Sequence, residues 1–178
     1  MFVNNLIISV IVIKFITNFY KEISTFKGAS NRLELVRKTN TSAVYKDFAH
    51  SPSKLKATSS AMKKQFSERK LVACMELHTF SSLNEEFLKQ YKGCMDEPDT
   101  AIVYFSHEAI SHKKLKPITK KQVLTAFDRE DLLVFTDIKK LQNYLKTLTW
   151  KNKNLLMMSS GNFNGIHLEK LIIKKTTF

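Results

Sequence analysis

Three polar clusters combine residue types that chemistry uses: Asp47 and His50 in "VYKDFAHSPSKLKAT", Glu76, His78, Thr79 and Ser81 in "MELHTFSS", and Ser159 to His167 in "SSGNFNGIH". A carboxylate beside an imidazole can tie a turn together through backbone N–H groups. It can also accept the hydroxyls of a ribose while the ring lies against a purine. Taken alone, Asp47 and His50 favour the first reading. Glu76, His78, Thr79 and Ser81 suit a polar pocket for a charged substrate; zinc is poorly supported, because the spacing is wrong and no Cys pair accompanies it. Gly161 and Gly165 let the backbone approach a ligand, with Asn162, Asn164 and His167 as polar handles, yet Gly and Asn suit a tight strand-to-helix turn equally well. The chain contains no G-x-S-x-G elbow, which disfavours a serine hydrolase, and neither G-x-G-x-x-G nor G-x-x-x-x-G-K. Any ATP phosphates therefore need a cradle from elsewhere.

The elements that must carry these clusters alternate. Leu33–Lys38 and Ala43–Phe48 read as strands joined across "TNTS", a hairpin or short loop. Pro52 suits the first turn of a helix, with Ser51 as its cap and Leu55, Thr58, Met62 and Phe66 on one face. The pattern then repeats: strand Lys70–Met75 and helix Leu83–Tyr91, strand Ala101–Phe105 and helix Lys120–Phe127, strand Leu132–Phe135 and helix Ile138–Leu148. Strand Asn154–Met158 comes last, followed by a glycine-containing loop and a helical stretch from Ile166. Short apolar runs each followed by a helix predict βαβ units and a three-layer, Rossmann-like α/β domain. Its sheet is mainly parallel, with an antiparallel edge from the hairpin and helices on both faces. Ligands of such sheets sit beyond the carboxyl ends of the strands, and all three clusters fall there.

A chain of 178 residues has room for one domain with a full core. Its apolar share of 43% and charged share of 25% are ordinary for a soluble protein. The net charge is +13, but Lys supplies nearly all of it, Arg occurring only at 32, 37, 69 and 129, and the Lys pairs are scattered along the chain. That distribution favours a solvated surface over a nucleic-acid stripe, while still attracting anionic small molecules such as nucleotides. Cys74 and Cys94 form no framework and are expected to stay reduced, which suits a cytoplasmic protein. The apolar run "LIISVIVI", Leu6 to Ile13, is far shorter than the ~20 residues that span a bilayer. It also lacks the flanks of a signal peptide, so no membrane span is expected.

In order and spacing, "FKGASNRLEL", "KDFAHSPSKLKAT", "ELHTFSS" and "MMSSGNFNGIH" resemble the C-terminal domain of the Mur ligases. These ATP-dependent enzymes form amide bonds in peptidoglycan synthesis; the nearest branches are the UDP-N-acetylmuramate–L-alanine ligases and the murein peptide ligases. The resemblance runs from Phe19 to about Leu171. It implies that Arg32 is a nucleotide-contacting hinge arginine, Asp47 the ribose ligand and His50 the neighbour of the adenine. It further implies that Glu76, His78, Thr79 and Ser81, with Gly161, Asn162, Gly165 and His167, belong to the substrate side. Lys46 departs from the family's acid, Ser51 from its second His, and Ser82 from an Arg that many members carry, which leaves the amino acid or peptide substrate open.

Residues 1–28 are expected to be an apolar segment and remnant of a central ligase domain, and residues 29–178 a Mur ligase C-terminal domain. Family members activate a carboxylate with a phosphate loop and magnesium in that central domain. The resemblance therefore implies ATP, with magnesium held mainly by the missing domain, and a truncated or split ligase that is inactive alone. Its partners would be ATP, an amino acid or peptide, and the missing N-terminal and central domains. A basic nucleic-acid-binding module and an inert remnant are the alternatives.

Overall fold

A computed structural model describes residues 32–167. The expected 1–28 segment, the hinge before Arg32 and any helix after His167 lie outside the described residues. The elements run β1 (Glu34–Lys38), β2 (Ala43–Asp47), α1 (Pro52–Gln65), β3 (Lys70–Glu76), α2 (Glu85–Leu88) with a 3-10 turn at Lys89–Tyr91, and β4 (Thr100–Tyr104). They continue as α3 (His107–His112), α4 (Lys120–Phe127), β5 (Leu133–Phe135), α5 (Ile138–Thr147) and β6 (Lys153–Met158), then a 3-10 turn at Phe163–Gly165. The sheet order is β1-β2-β6-β3-β4-β5. The β1–β2 pair is antiparallel and every other pairing parallel. Asp47 thus lies level with Met158, and Met158 with Met75, one residue before Glu76.

Strand pleating explains the two cores. Leu71, Ala73 and Met75 of β3 face a cluster with Leu55 and Met62 of α1, Leu88 of α2 and Val123 and Phe127 of α4. Val72 and Cys74 face the other side, with Leu141 and Leu145 of α5 and Leu155 and Met157 of β6. A strand buried on both faces reads as one apolar run, and β3 does. The result is the expected three-layer α/β domain with a mainly parallel sheet and helices on both faces.

Two polar anchors hold the amino ends of the strands. Asp99 accepts hydrogen bonds from Lys63 Nζ and Leu71 N–H, both at 2.7 Å, and pairs with Lys70 at 2.9 Å. Buried Asn154 accepts from Ala43 N–H at 3.0 Å and Arg69 Nη1 at 3.2 Å. Both join segments distant in sequence and leave the carboxyl edge to the loops.

Three expectations change. Helix α3 is additional; its N-cap is Ser106, which accepts from Ala109 N–H at 3.3 Å. Ser51 occupies the N-cap position of α1, but its side chain makes no capping bond. No helix starts at Ile166, where the backbone is extended (φ −57°, ψ 129°). Phe163, Asn164 and Gly165 all have positive φ just before it, so the 3-10 turn does not run on into a helix at Ile166, and the rest of the expected helical stretch lies outside the described residues.

Candidate functional site

Strand β2 delivers Asp47 to the carboxyl edge, and its carboxylate is heavily engaged. Oδ2 accepts from Leu33 N–H at 2.6 Å; Oδ1 accepts from Ala49 N–H at 2.7 Å and Thr58 Oγ1 at 3.4 Å. Leu33 has φ +42°, an unusual backbone for a branched side chain, so Asp47 pins a strained residue at the entry to β1. A carboxylate offers roughly four acceptor positions. With three donors in place, about one position remains for a ligand hydroxyl.

His50 is fixed from two sides. Its Nδ1–H donates to Phe48 O at 2.8 Å, and its own carbonyl accepts from Tyr91 Oη at 2.6 Å. Tyr91 is fully buried and stacks on Phe127 with ring centroids 5.1 Å apart. The imidazole meets the Phe48 ring edge-on at 4.9 Å.

A cleft of about 570 Å³ opens where β2 and β6 end. Asp47 and Phe48 line it from one side, and Ser160, Gly161, Asn162 and His167 from the other. Lys46 reaches its rim, paired with Glu34 at 3.2 Å. Parallel pairing of neighbouring strands accounts for the meeting of clusters more than a hundred residues apart. Arg32 is exposed, one residue before the Leu33 that Asp47 holds, and does not line the cleft. Gly165, at φ +76°, shapes the loop by conformation, since no described residue lies within 4 Å of a Cβ added there.

Beside the cleft, Glu76 ends β3 with 2% of its surface exposed. Its Oε2 accepts from Ser159 Oγ at 2.5 Å and Phe163 N–H at 2.9 Å, while Ser159 Oγ accepts from Gly161 N–H at 2.6 Å. One buried carboxylate therefore sets the path of the 159–163 loop, and Phe163 is held further by stacking on Tyr104 at 6.1 Å. The other oxygen, Oε1, stands 3.6 Å from Nδ1 of His78. Gly161 covers both side chains.

Thr79 and Ser81 lie in a local turn. Thr79 Oγ1 donates to Ser82 Oγ at 2.9 Å, accepts from Ser82 N–H at 3.0 Å and contacts Ser81 Oγ at 3.1 Å. Ser82 itself is buried and returns a bond to Thr79 O at 3.1 Å. The three hydroxyls hold the segment that carries His78.

Sequence reasoning assigned no role to Phe48 or Ser160. Phe48 presents an exposed ring to the cleft; an aromatic residue just past the end of a strand was its available signal. Ser160 Oγ is buried and has no hydrogen-bond partner among the described residues, and no sequence pattern marks it. The described residues contain no group of three or more His, Cys, Asp or Glu able to hold a metal ion, and no helix among them is long and apolar enough to cross a membrane.

No family model matches the chain. Curated relatives do. The UDP-N-acetylmuramate–L-alanine ligase of Sulfurihydrogenibium sp. is 27% identical over 148 residues, covering 82% of this chain and 32% of that protein. The enzyme of the same name from Caldicellulosiruptor bescii is 41% identical over 81 residues, 46% of this chain and 17% of that protein. Among solved structures, a murein peptide ligase from Psychrobacter arcticus superposes with a TM-score of 0.63 at 23% identity, covering 81% of this chain and 30% of that one. The chain is similar to the C-terminal domain of the Mur ligases. This Mur-like domain spans about a third of the length of the first of those relatives, 32%. The Mur ligase of Thermotoga maritima that joins UDP-N-acetylmuramate to alanine has the same fold, with a TM-score of 0.60 at 14% identity.

Proposed function

We propose that this chain serves as the C-terminal domain of an ATP-dependent acid–amino acid ligase of cell-wall synthesis or recycling. Such an enzyme joins a UDP-N-acetylmuramate carboxylate to an amino acid or peptide. The supporting observation is the meeting of Asp47 and the Ser159–His167 loop in one cleft, beside buried Glu76 and the half-buried His78. Asp47 has acceptor capacity for one ribose hydroxyl, Phe48 offers a ring on which a purine can stack, and His50 is held next to it. Arg32 contacts the nucleotide from the hinge.

Glu76, His78, Gly161, Asn162, Gly165 and His167 form the side that receives the amine, with Thr79 and Ser81 holding the turn beneath. The substrate amine attacks a carboxylate activated as an acyl phosphate. Magnesium and the phosphate cradle belong to a central domain, because these 178 residues contain no G-x-x-x-x-G-K loop. An enzyme using ATP and cytoplasmic precursors, with Cys74 and Cys94 unpaired, works in the cytoplasm.

The test is phosphate release from ATP with UDP-N-acetylmuramate and a panel of amines. The chain is assayed alone and with Mur ligase N-terminal and central domains supplied. Turnover is expected from the mixture and not from the chain alone. Indifference of the mixture to every amine, together with steeply salt-sensitive binding of random-sequence RNA, would instead establish a nucleic-acid module.

A further inference from the structure

Nδ1 of His78 is shielded from solvent and has no hydrogen-bond partner among the described residues, a costly state for a polar atom. Facing it at 3.6 Å is Oε1 of Glu76, on a carboxylate whose other oxygen already receives two donors. The imidazole as a whole is not buried, because the His78 side chain is 35% exposed. At 3.6 Å the two atoms are not hydrogen-bonded, and closing the gap by less than about 1 Å would join them as Nδ1–H···Oε1. The proton then sits on Nδ1, and the lone pair of Nε2 is left free on the outer part of the ring.

From this geometry we infer that Glu76 and His78 form an oriented base dyad, with His78 Nε2 accepting a proton from the incoming amine. The identity of that amine rests on the ligase reading; the tautomer does not. At neutral pH a primary amine arrives largely as an ammonium ion, which has no lone pair with which to attack. An N–H bond of the ammonium breaks and its proton moves to Nε2. The freed nitrogen pair attacks the carbonyl carbon of the acyl phosphate, the C–N bond forms, the C–O bond to phosphate breaks with its pair leaving on phosphate, and the departing phosphate takes the second N–H proton so that a neutral amide remains. Glu76 stays ionised and balances the imidazolium, as carboxylates do for catalytic imidazoles generally.

The same hydrogen bonds dictate what an isosteric change does. In Glu76→Gln the amide oxygen must take the Oε2 position, because an NH2 group cannot accept from Phe163 N–H. The NH2 then faces Nδ1 and donates to it, which forces the proton onto Nε2 and removes the lone pair. The variant preserves volume and loop contacts.

Nitrogen-15 NMR of the full chain reads the tautomer directly, with His78→Gln identifying the signal among the five histidines. The expected result is Nδ1–H in the parent and Nε2–H in Glu76→Gln. An Nε2–H tautomer in the parent, or no change in the variant, would overturn the dyad. With central domain supplied, both variants should lower kcat by about 100-fold or more at saturating amine, with little change in the KM for nucleotide. A rise in amine KM at unchanged kcat would reduce His78 to a binding residue and overturn the base role. A parent mixture inert to all amines would remove the ligase reading and the proton donor with it, leaving the tautomer result standing on its own.

Discussion

Gly161 lies so close to Glu76 that a Cβ added to it would stand 2.9 Å from Oε2, and 2.8 Å from Cγ of His78. Glu76 is constrained by two donors, and the contacted atom of His78 is the ring Cγ, close to its backbone and not the far end of a flexible side chain. Gly161→Ala should therefore push the 159–163 loop outward and cost about 1–3 kcal/mol, as overpacking does. Urea unfolding of the two proteins checks it, and a variant as stable as the parent would mean the loop moves freely. Gly165→Ala should also destabilise, but for its positive φ and not for want of space.

Asp47→Ala removes the acceptor for Leu33 N–H and Ala49 N–H. Leaving part-buried donors unpaired should cost about 1–3 kcal/mol in urea unfolding. In the reconstituted ligase the same change should weaken nucleotide use by about 10- to 150-fold, the equivalent of ~1.5–3 kcal/mol for a charged hydrogen bond. A loss of stability with unchanged nucleotide KM would assign Asp47 to the turn alone.

Asp99 gives the fold a pH dependence. Burial raises its carboxyl, but hydrogen bonds from Lys63, Leu71 N–H and Lys70, with the Lys63 charge, outweigh that and hold it well below the usual range. A depressed carboxylate stabilises the native state fully above its unfolded value, about pH 4. The contribution is lost as pH falls from there through the folded value. Asp99→Asn should be less stable than the parent at pH 7, by roughly 1–3 kcal/mol, and the gap should narrow toward pH 2. Urea midpoints at several pH values test this; a gap that stays constant would contradict it.

Burial pushes the Cys74 thiol well above its ordinary value, with the Glu76 charge adding to the effect, and burial raises Cys94 as well. Neither forms much thiolate at neutral pH, so a thiol reagent should modify the native chain far more slowly than the chain in denaturant. Rapid native labelling of Cys74 would show that the sheet opens around β3.

Much of the sheet was legible because β3, β4 and β6 are buried on both faces and their sequences are unbroken apolar runs. The hairpin was legible from two strand-like runs around "TNTS". Helix α3 was missed because it is short and precedes a polar stretch, with its Ser106 cap as the sole signal. The cleft was legible in outline, since parallel strands must bring Asp47 and the Ser159–His167 loop to one edge. Contacts that depend on side-chain reach were not legible. The Glu76 bonds to Ser159 and Phe163 cross more than eighty residues, and the partial filling of the Asp47 carboxylate by Leu33 N–H depends on the strained φ of Leu33.

The most direct test of the proposed function replaces the C-terminal third of a UDP-N-acetylmuramate–L-alanine ligase with residues 29–178 of this chain and measures phosphate release against a panel of amino acids and peptides. The account predicts ATP-dependent release with at least one amine, weakened at limiting ATP by Asp47→Ala and lost at saturating amine with His78→Gln. A folded chimera that binds ATP yet releases no phosphate with any amine, or one indifferent to both substitutions, would contradict it.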